Sequence, residues 1–180
     1  NMTIFVPADA VEAAGAVRAA AALKGPVYIR LGRSGVPVLH GPDFQFEPGR
    51  AVVLREGGDA AILATGIMVA AALEAADLLA AEGIEVDVLD FHTIKPLDVE
   101  AVVAAAKKTG ALVTAEEHSI IGGLGSAVAE ALVENHPPLL KRIGITDRFG
   151  ESGTPEELLE YFGLTPGRIA AAVKETIARK

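Results

Sequence analysis

From Ala51 to the end of the sequence, short apolar segments alternate regularly with longer Ala-rich segments that have a helical period. Apolar segments without an alternating polar face are typical of strands buried on both sides of a sheet. The pattern therefore predicts an α/β fold, a mostly parallel open sheet that carries helices on both faces. Strands are predicted over 51–55, 60–65, 84–91, 111–116 and 139–146, and helices over 68–81, 99–108, from the turn at 122–125 to 135, 155–162 and 166–178.

Residues 1–33 form a shorter unit ahead of this region. Thr3–Val6 and Val27–Leu31 predict two strands, and the Ala-rich stretch between them predicts a helix that Asp9 can cap. Strand, helix and strand in about 30 residues make a single parallel crossover unit. Because the sequence starts almost inside the first strand, we expect this unit to be the remnant of a preceding domain.

Residues 34–50 separate the two regions and have no helical period. Their Gly and Pro residues indicate irregular backbone. An irregular stretch of this length is unusual inside a compact domain. The sequence therefore predicts three parts, which are the tail of one domain (1–33), an interdomain linker (34–50) and a carboxy-terminal domain (51–180).

Composition narrows the chemistry and the partners that the chain can have. The absence of Cys excludes disulfides, thiolate metal sites and a cysteine nucleophile. The formal net charge of −8 argues against general affinity for nucleic acid or for anionic membranes. No apolar run has the length of a membrane span. We therefore expect a cytoplasmic protein that binds neither nucleic acid nor a membrane.

The glycine-rich turn formed by Gly122, Gly123 and Gly125 resembles the beginning of a dinucleotide-binding fingerprint. A predicted strand precedes the turn and a predicted helix follows it, as a phosphate at a helix amino terminus requires. Val128, however, occupies the position of the third glycine. The turn is better interpreted as a tight connection between a strand and a helix at a packed surface.

Polar residues cluster just before this turn, at Glu116, Glu117, His118 and Ser119. The carboxyl end of a strand is where open α/β sheets usually place functional groups. Ser119 does not lie in a nucleophile elbow, and a metal would find only His118 and Glu117 as ligands. We therefore predict no catalytic residue and no metal site on this chain. The hypothesis is a hydrogen-bonded cluster at a domain or subunit contact, formed by Glu117, His118, Gly122, Gly123 and Gly125.

Two arginines, Arg30 and Arg33, lie at the end of the predicted strand Val27–Leu31. A guanidinium group donates two parallel hydrogen bonds and therefore suits a phosphate or a carboxylate. A pair of surface arginines at a strand end is the plain alternative. Two histidines outside the cluster, His40 in the predicted linker and His136, are assigned no role.

Several stretches of the sequence together resemble the transketolase family. Val6–Glu12 and Gly25–Arg33 look like the end of that family's pyrimidine-binding domain. Asp90–Asp98 and Glu116–Ser126 are also similar to 1-deoxyxylulose-5-phosphate synthases and, more loosely, to the β subunits of 2-oxoacid dehydrogenases. The stretch from Arg148 to Thr165 is similar to transketolase itself. The resemblance extends over essentially the whole chain.

The resemblance implies an enzyme of three domains, which many archaeal and bacterial members split over two polypeptides. In the family, thiamine diphosphate binds between two domains that come from different subunits. The glutamate that activates the cofactor and the aromatic residues that hold its pyrimidine ring match positions upstream of Asn1. Thiamine diphosphate and Mg²⁺ are therefore expected in the complete enzyme, and neither is expected on this chain alone.

The resemblance also implies roles for two parts of this chain. Arg33 matches the family arginine that contacts the phosphate of the sugar substrate. The residues from Ala51 onward match the third domain, which contributes to dimer contacts. Glu117, His118 and the glycine turn would then lie near such a contact, in agreement with the hypothesis drawn from the residues.

The function implied by the resemblance is that of the carboxy-terminal portion of a transketolase. Such an enzyme transfers a two-carbon ketol unit between sugar phosphates, as in the pentose phosphate pathway. Expected partners are a second copy of the chain, an amino-terminal transketolase subunit, or both, and the chain alone is expected to be inactive. Three alternatives stay open: part of a 1-deoxyxylulose-5-phosphate synthase, a partner-docking domain like that of the β chain of a 2-oxoacid dehydrogenase, and an independent nucleotide-binding domain, which Val128 disfavours.

Overall fold

The computed structural model describes all 180 residues, from Asn1 to Lys180, and contains two sheets. The strands are β1 (Thr3–Phe5), β2 (Val27–Ile29), β3 (Val52–Arg55), β4 (Ala60–Ala64), β5 (Val86–Asp90), β6 (Thr93–Lys95), β7 (Ala111–Ser119) and β8 (Leu139–Ile145). The helices are α1 (Ala10–Ala22), α2 (Met68–Ala80), α3 (Val99–Thr109), α4 (Leu124–Asn135), α5 (Pro155–Phe162) and α6 (Pro166–Ile177). None of these helices has both the length and the apolar character needed to cross a membrane.

The larger sheet has five strands in the order β3–β5–β4–β7–β8. Strands β5, β4, β7 and β8 run parallel to one another, and only the edge strand β3 is antiparallel to its neighbour. Strand β4 lies in the middle, and every one of its residues is buried. The prediction of a mostly parallel open sheet is therefore confirmed.

Helices cover both faces of the larger sheet. Successive residues of each strand point to opposite faces, so neighbouring residues of one strand pack against different helices. Ile62 belongs to an apolar cluster with Met68 of α2 and Ile169 of α6. The next residue, Leu63, belongs to a second cluster on the other face, with Val128 of α4 and apolar residues of α3. Many remaining members of both clusters are Ala, whose small side chain lets the helices approach the sheet closely.

Side-chain caps explain where two of the helices begin. Asp9 accepts a hydrogen bond from the Glu12 amide at 2.8 Å, and Asp98 accepts one from the Ala101 amide at 3.0 Å. These carboxylates satisfy amides that have no partner within the helix itself. The predicted cap at Asp9 is confirmed. Gly110 ends α3 in the left-handed conformation, with φ of 66°.

The smaller sheet joins the beginning of the chain to the rest of the molecule. Strand β1 pairs in parallel with β2, as the predicted crossover requires, and pairs antiparallel with β6. Since β5 belongs to the larger sheet, the chain passes from one sheet to the other at Phe91 and His92. The pairing with β6 was not predicted. That residues 1–33 are the tail of a preceding domain stays a prediction.

The residues between the two parts, 34–50, are called here the connecting segment and contain neither helix nor strand. The amide of His40 donates a hydrogen bond to Asp9 Oδ2 at 2.8 Å. The ring of Phe46 contacts that of Phe5 edge-on, with centroids 5.1 Å apart. The connecting segment is therefore packed against the amino-terminal unit. Its assignment as an interdomain linker stays a prediction.

Candidate functional site

Strand β7 carries the polar residues that were predicted to form a cluster. The strand continues to Ser119, past its predicted end at Glu116, because Ser119 still pairs with Ile145 of β8. Glu117 and His118 therefore lie within the strand, at the carboxyl end of the sheet, rather than in a loop after it. The extended strand places their side chains beside the turn that begins α4.

Glu116 is the most deeply buried of these polar residues, with 1% of its surface exposed. Its carboxylate accepts hydrogen bonds from the amides of Leu124 at 2.7 Å and Gly125 at 2.8 Å, at the first turn of α4. Burial raises the pKa of Glu116, and the hydrogen bonds from Gly125 and Leu124 oppose this rise. The predicted cluster does not include Glu116. The amides that donate to its carboxylate lie eight and nine residues later, outside the range of a local capping motif.

The three predicted glycines serve different purposes. At Gly123, a Cβ atom would overlap the carboxylate of Glu116. At Gly125, a Cβ atom would lie 2.8 Å from Thr114 Oγ1. Gly122 has open space around it, but its φ of +78° is a conformation that favours glycine. Close packing therefore requires two of these glycines, and backbone conformation favours the third.

Arg30 connects the smaller sheet to this end of β7. Its Nη2 donates to the Glu117 carbonyl oxygen at 2.8 Å and to Glu117 Oε2 at 3.2 Å. Its own amide donates to the Phe5 carbonyl oxygen at 2.8 Å. Both charged side chains are about one-third exposed, so solvent screens the attraction between them. The pair therefore acts mainly to hold the end of β2 in place relative to β7.

The remaining predicted residues are not drawn together. The side chain of His118 is half exposed, and its Nδ1 lies 2.9 Å from the Ser119 carbonyl oxygen. The side chain of Arg33 is exposed and lies three residues beyond Arg30, outside the cluster. Its guanidinium group is thus available to a ligand or to another chain. The assignment of Glu117, His118 and the three glycines to a domain or subunit contact stays a prediction.

A cavity of about 120 Å³ lies where the two sheets meet. Small-molecule sites usually enclose about 300 Å³ or more, so this cavity alone is too small for a sugar phosphate. Apolar and polar groups both line it, among them Ile4, Tyr28, Arg30, Glu116, Glu117 and His118.

A second polar cluster is buried between the amino-terminal unit, the connecting segment and β5. Nε2 of His40 lies 3.2 Å from Asp90 Oδ2 and 3.4 Å from Glu12 Oε1. Asp9 borders this cluster through its hydrogen bond from the His40 amide. The sequence interpretation gave His40 no role, whereas in the structure His40 is buried and joins residues from two other segments.

The chain is therefore an α/β domain whose strand β7 ends in polar residues, and it is attached to one crossover unit of a neighbouring sheet. The family model for the transketolase C-terminal domain matches residues 49–169. The chain therefore belongs to the transketolase family and corresponds to its carboxy-terminal part.

Relatives from this family cover the whole chain. The 6-deoxy-6-sulfo-D-fructose transketolase subunit SqwH of Clostridium sp. (strain MSTE9) is 51% identical over 180 residues, which are 100% of this chain and 56% of that protein. One of the apulose-4-phosphate transketolase subunits of Phocaeicola vulgatus is 40% identical over 99% of this chain and 57% of its own length. The chain thus spans little more than half the length of these relatives.

A solved structure agrees with this assignment. A split-gene transketolase, described as an inactive β4 tetramer, superposes with a TM-score of 0.96 and 56% sequence identity. The match covers 99% of this chain and 58% of that one. The two sheets and their connecting segment therefore form an arrangement that this relative shares.

Proposed function

We propose that this chain supplies the carboxy-terminal part of a thiamine-diphosphate-dependent transketolase, which transfers a two-carbon ketol unit between sugar phosphates. The observation that supports the proposal is the match with subunits of split transketolases over the whole length of this chain, which includes both the small crossover unit and the larger domain. The chain alone is inactive in this proposal, because the groups that activate the cofactor belong to other parts of the enzyme.

The cavity between the two sheets does not suit the cofactor by itself. A diphosphate needs cationic or amide donors, and the cavity between the sheets presents the carboxyl groups of Glu116 and Glu117 beside Arg30. Its volume of about 120 Å³ is also too small for such a molecule. We therefore assign the binding of thiamine diphosphate and Mg²⁺ to the complete enzyme and derive no step through them.

The contribution of this chain to the substrate site is Arg33. Its exposed guanidinium group lies four residues beyond the end of β2, which Arg30 and Glu117 hold in place. An exposed Arg side chain can donate two hydrogen bonds to the phosphate of a sugar. The substrate proposed is therefore a ketose that carries a phosphate group, as in the pentose phosphate pathway.

The partners proposed are an amino-terminal transketolase subunit and a second copy of this chain, assembled at least as a dimer in the cytoplasm. The polar end of β7, with Glu117 and His118, is the proposed contact. Both residues lie at the surface where the smaller sheet meets the larger one.

Binding of thiamine diphosphate tests this division of roles. Titration calorimetry with thiamine diphosphate and Mg²⁺ should give no binding heat for this chain alone. The same titration of the complete enzyme should give saturable binding. Saturable binding by the chain alone would contradict the proposal that the cofactor site lies outside it.

A further inference from the structure

The buried cluster of Glu12, His40 and Asp90 brings together three separate segments of the chain. Glu12 belongs to α1, His40 to the connecting segment and Asp90 to the end of β5. The carboxyl groups of Glu12 and Asp90 are completely buried. Nothing in the function proposed above uses these three side chains, and the inference drawn from them does not depend on that function.

Two oxygen atoms in this cluster lack a hydrogen-bond donor. Glu12 Oε2 accepts from the Ala8 amide at 2.6 Å, and Asp90 Oδ2 lies beside His40 Nε2. Glu12 Oε1 and Asp90 Oδ1 are buried and have no partner that donates a hydrogen. Two neighbouring ionised carboxylates without donors are costly in a buried site, because desolvation and mutual repulsion both oppose them. A proton held by one carboxyl group and donated to the other removes both problems.

We infer that Glu12 and Asp90 share one proton, and that this proton together with His40 fastens the connecting segment to α1 and β5 in a pH-sensitive manner. At neutral pH, Glu12 is a neutral acid that donates a hydrogen bond to the Asp90 carboxylate. His40 donates from Nε2 to Asp90 Oδ2. Loss of the shared proton to hydroxide leaves two adjacent buried carboxylates, whose repulsion favours release of the connecting segment.

The surrounding charges favour protonation of Glu12. From α1, Asp9 faces the cluster. Burial tends to raise the pKa of Asp9, but hydrogen bonds from the amides of Glu12, His40 and Leu39 lower it, so Asp9 stays ionised. Burial, and then the neighbouring Asp90, raise the pKa of Glu12 to about 9.

The groups that follow β5 do not supply a compensating charge. Burial lowers the pKa of His92 to about 4, and the nearby His40 adds to this effect, so His92 is neutral above that pH. Burial also raises the pKa of Asp90, whereas its hydrogen bond with His40 opposes the rise. His40 is therefore the remaining side chain that can pair with the Asp90 carboxylate from the connecting segment.

The sign of the pH effect follows from the raised pKa of Glu12. Glu12 binds its proton more tightly in the folded chain than in the unfolded chain. Its protonation therefore contributes its full stabilisation of the folded state at pH values below its ordinary pKa of 4.5. This contribution is lost as the pH rises through about 9. Between pH 7 and pH 9, linkage predicts that release of the connecting segment becomes about 50-fold more favourable.

Hydrogen exchange of the full chain tests this inference. The amides of Leu39 and His40, which donate to Asp9 Oδ2, report on whether the connecting segment is attached. After correction for intrinsic exchange rates, their protection should fall by about 50-fold from pH 7 to pH 9, relative to Val113 in β7. In Glu12→Gln the protection should stay constant, because the amide group donates to Asp90 at every pH.

Three further observations decide the matter. Glu47→Gln, which removes an exposed charge in the same segment, should keep the pH dependence of the wild type. Should Glu12→Gln fail to fold, carbon-13 NMR of the wild type reports the Glu12 carboxyl directly. Titration of that carboxyl well above pH 7 supports the inference, and titration near pH 4.5 overturns it. An equimolar divalent cation in the purified protein, whose chelation reproduces the loss of protection, also overturns it.

Discussion

Gly123→Ala is expected to lower the free energy of unfolding by about 3 kcal/mol or more. The new methyl group would occupy the position of the Glu116 carboxylate, which two amides of α4 hold in place. The carboxylate must therefore move, and it then loses charge-assisted hydrogen bonds while it stays buried. Urea unfolding of the full chain, followed by circular dichroism, measures this change.

The neighbouring glycine provides a matched control for this prediction. Gly122→Ala adds a methyl group into open space, and only its φ of +78° opposes the change. A cost of about 1 kcal/mol is expected for that conformation. In a double-mutant cycle, Gly123→Ala should cost much less when Glu116 is already Ala. The prediction is contradicted if the two glycine variants lose the same free energy of unfolding, or if the effects of Gly123→Ala and Glu116→Ala are fully additive. Either result would show that the Glu116 carboxylate is not the reason why glycine is required at position 123.

Arg33→Ala in the complete enzyme is expected to raise KM for a phosphorylated ketose donor by about 30-fold, or about 2 kcal/mol. The reason is the loss of two charge-assisted hydrogen bonds to the phosphate in the proposed site. An unphosphorylated ketose donor should show no change in KM. Steady-state kinetics with the two donors, measured on the same preparations, separates the phosphate contact from a general defect.

One control measurement and one control variant make this result interpretable. Arg33 is exposed, so its replacement should leave the unfolding midpoint of the chain unchanged. Arg18→Ala, which removes another exposed arginine from α1, should affect neither donor. A rise in KM that is the same for phosphorylated and unphosphorylated donors would assign Arg33 to the structure of the site rather than to the phosphate.

Local signals in the sequence account for much of the fold. Some features depend only on atoms within a few residues and can therefore be predicted from the local sequence. They are the caps at Asp9 and Asp98 and the helix end at Gly110. The parallel sheet follows from apolar strands that lack a polar face. The extension of β7 through Glu117 and His118 could not be predicted in this way. Polar residues after an apolar run usually indicate that a buried strand has ended. Here the pairing with β8 continues the strand through them.

The candidate sites depend on contacts between distant parts of the chain. Glu116 is a cap for α4 only because the turn at Gly123 folds back against it. His40 lies in a stretch without any regular pattern, and its partners Glu12 and Asp90 come from two other elements. The sequence shows which residue types are available in such cases. Burial and juxtaposition arise from tertiary packing, which local periodicity does not encode.

We propose that this chain is one part of a transketolase and is incomplete without the part that carries the cofactor site. Its most direct test is transfer of a two-carbon unit from xylulose 5-phosphate to ribose 5-phosphate, with thiamine diphosphate and Mg²⁺. The reaction should be absent with this chain alone and should appear with the complete enzyme. Transfer by the chain alone, or an assembled preparation that only condenses pyruvate with glyceraldehyde 3-phosphate as a synthase would, contradicts the claim.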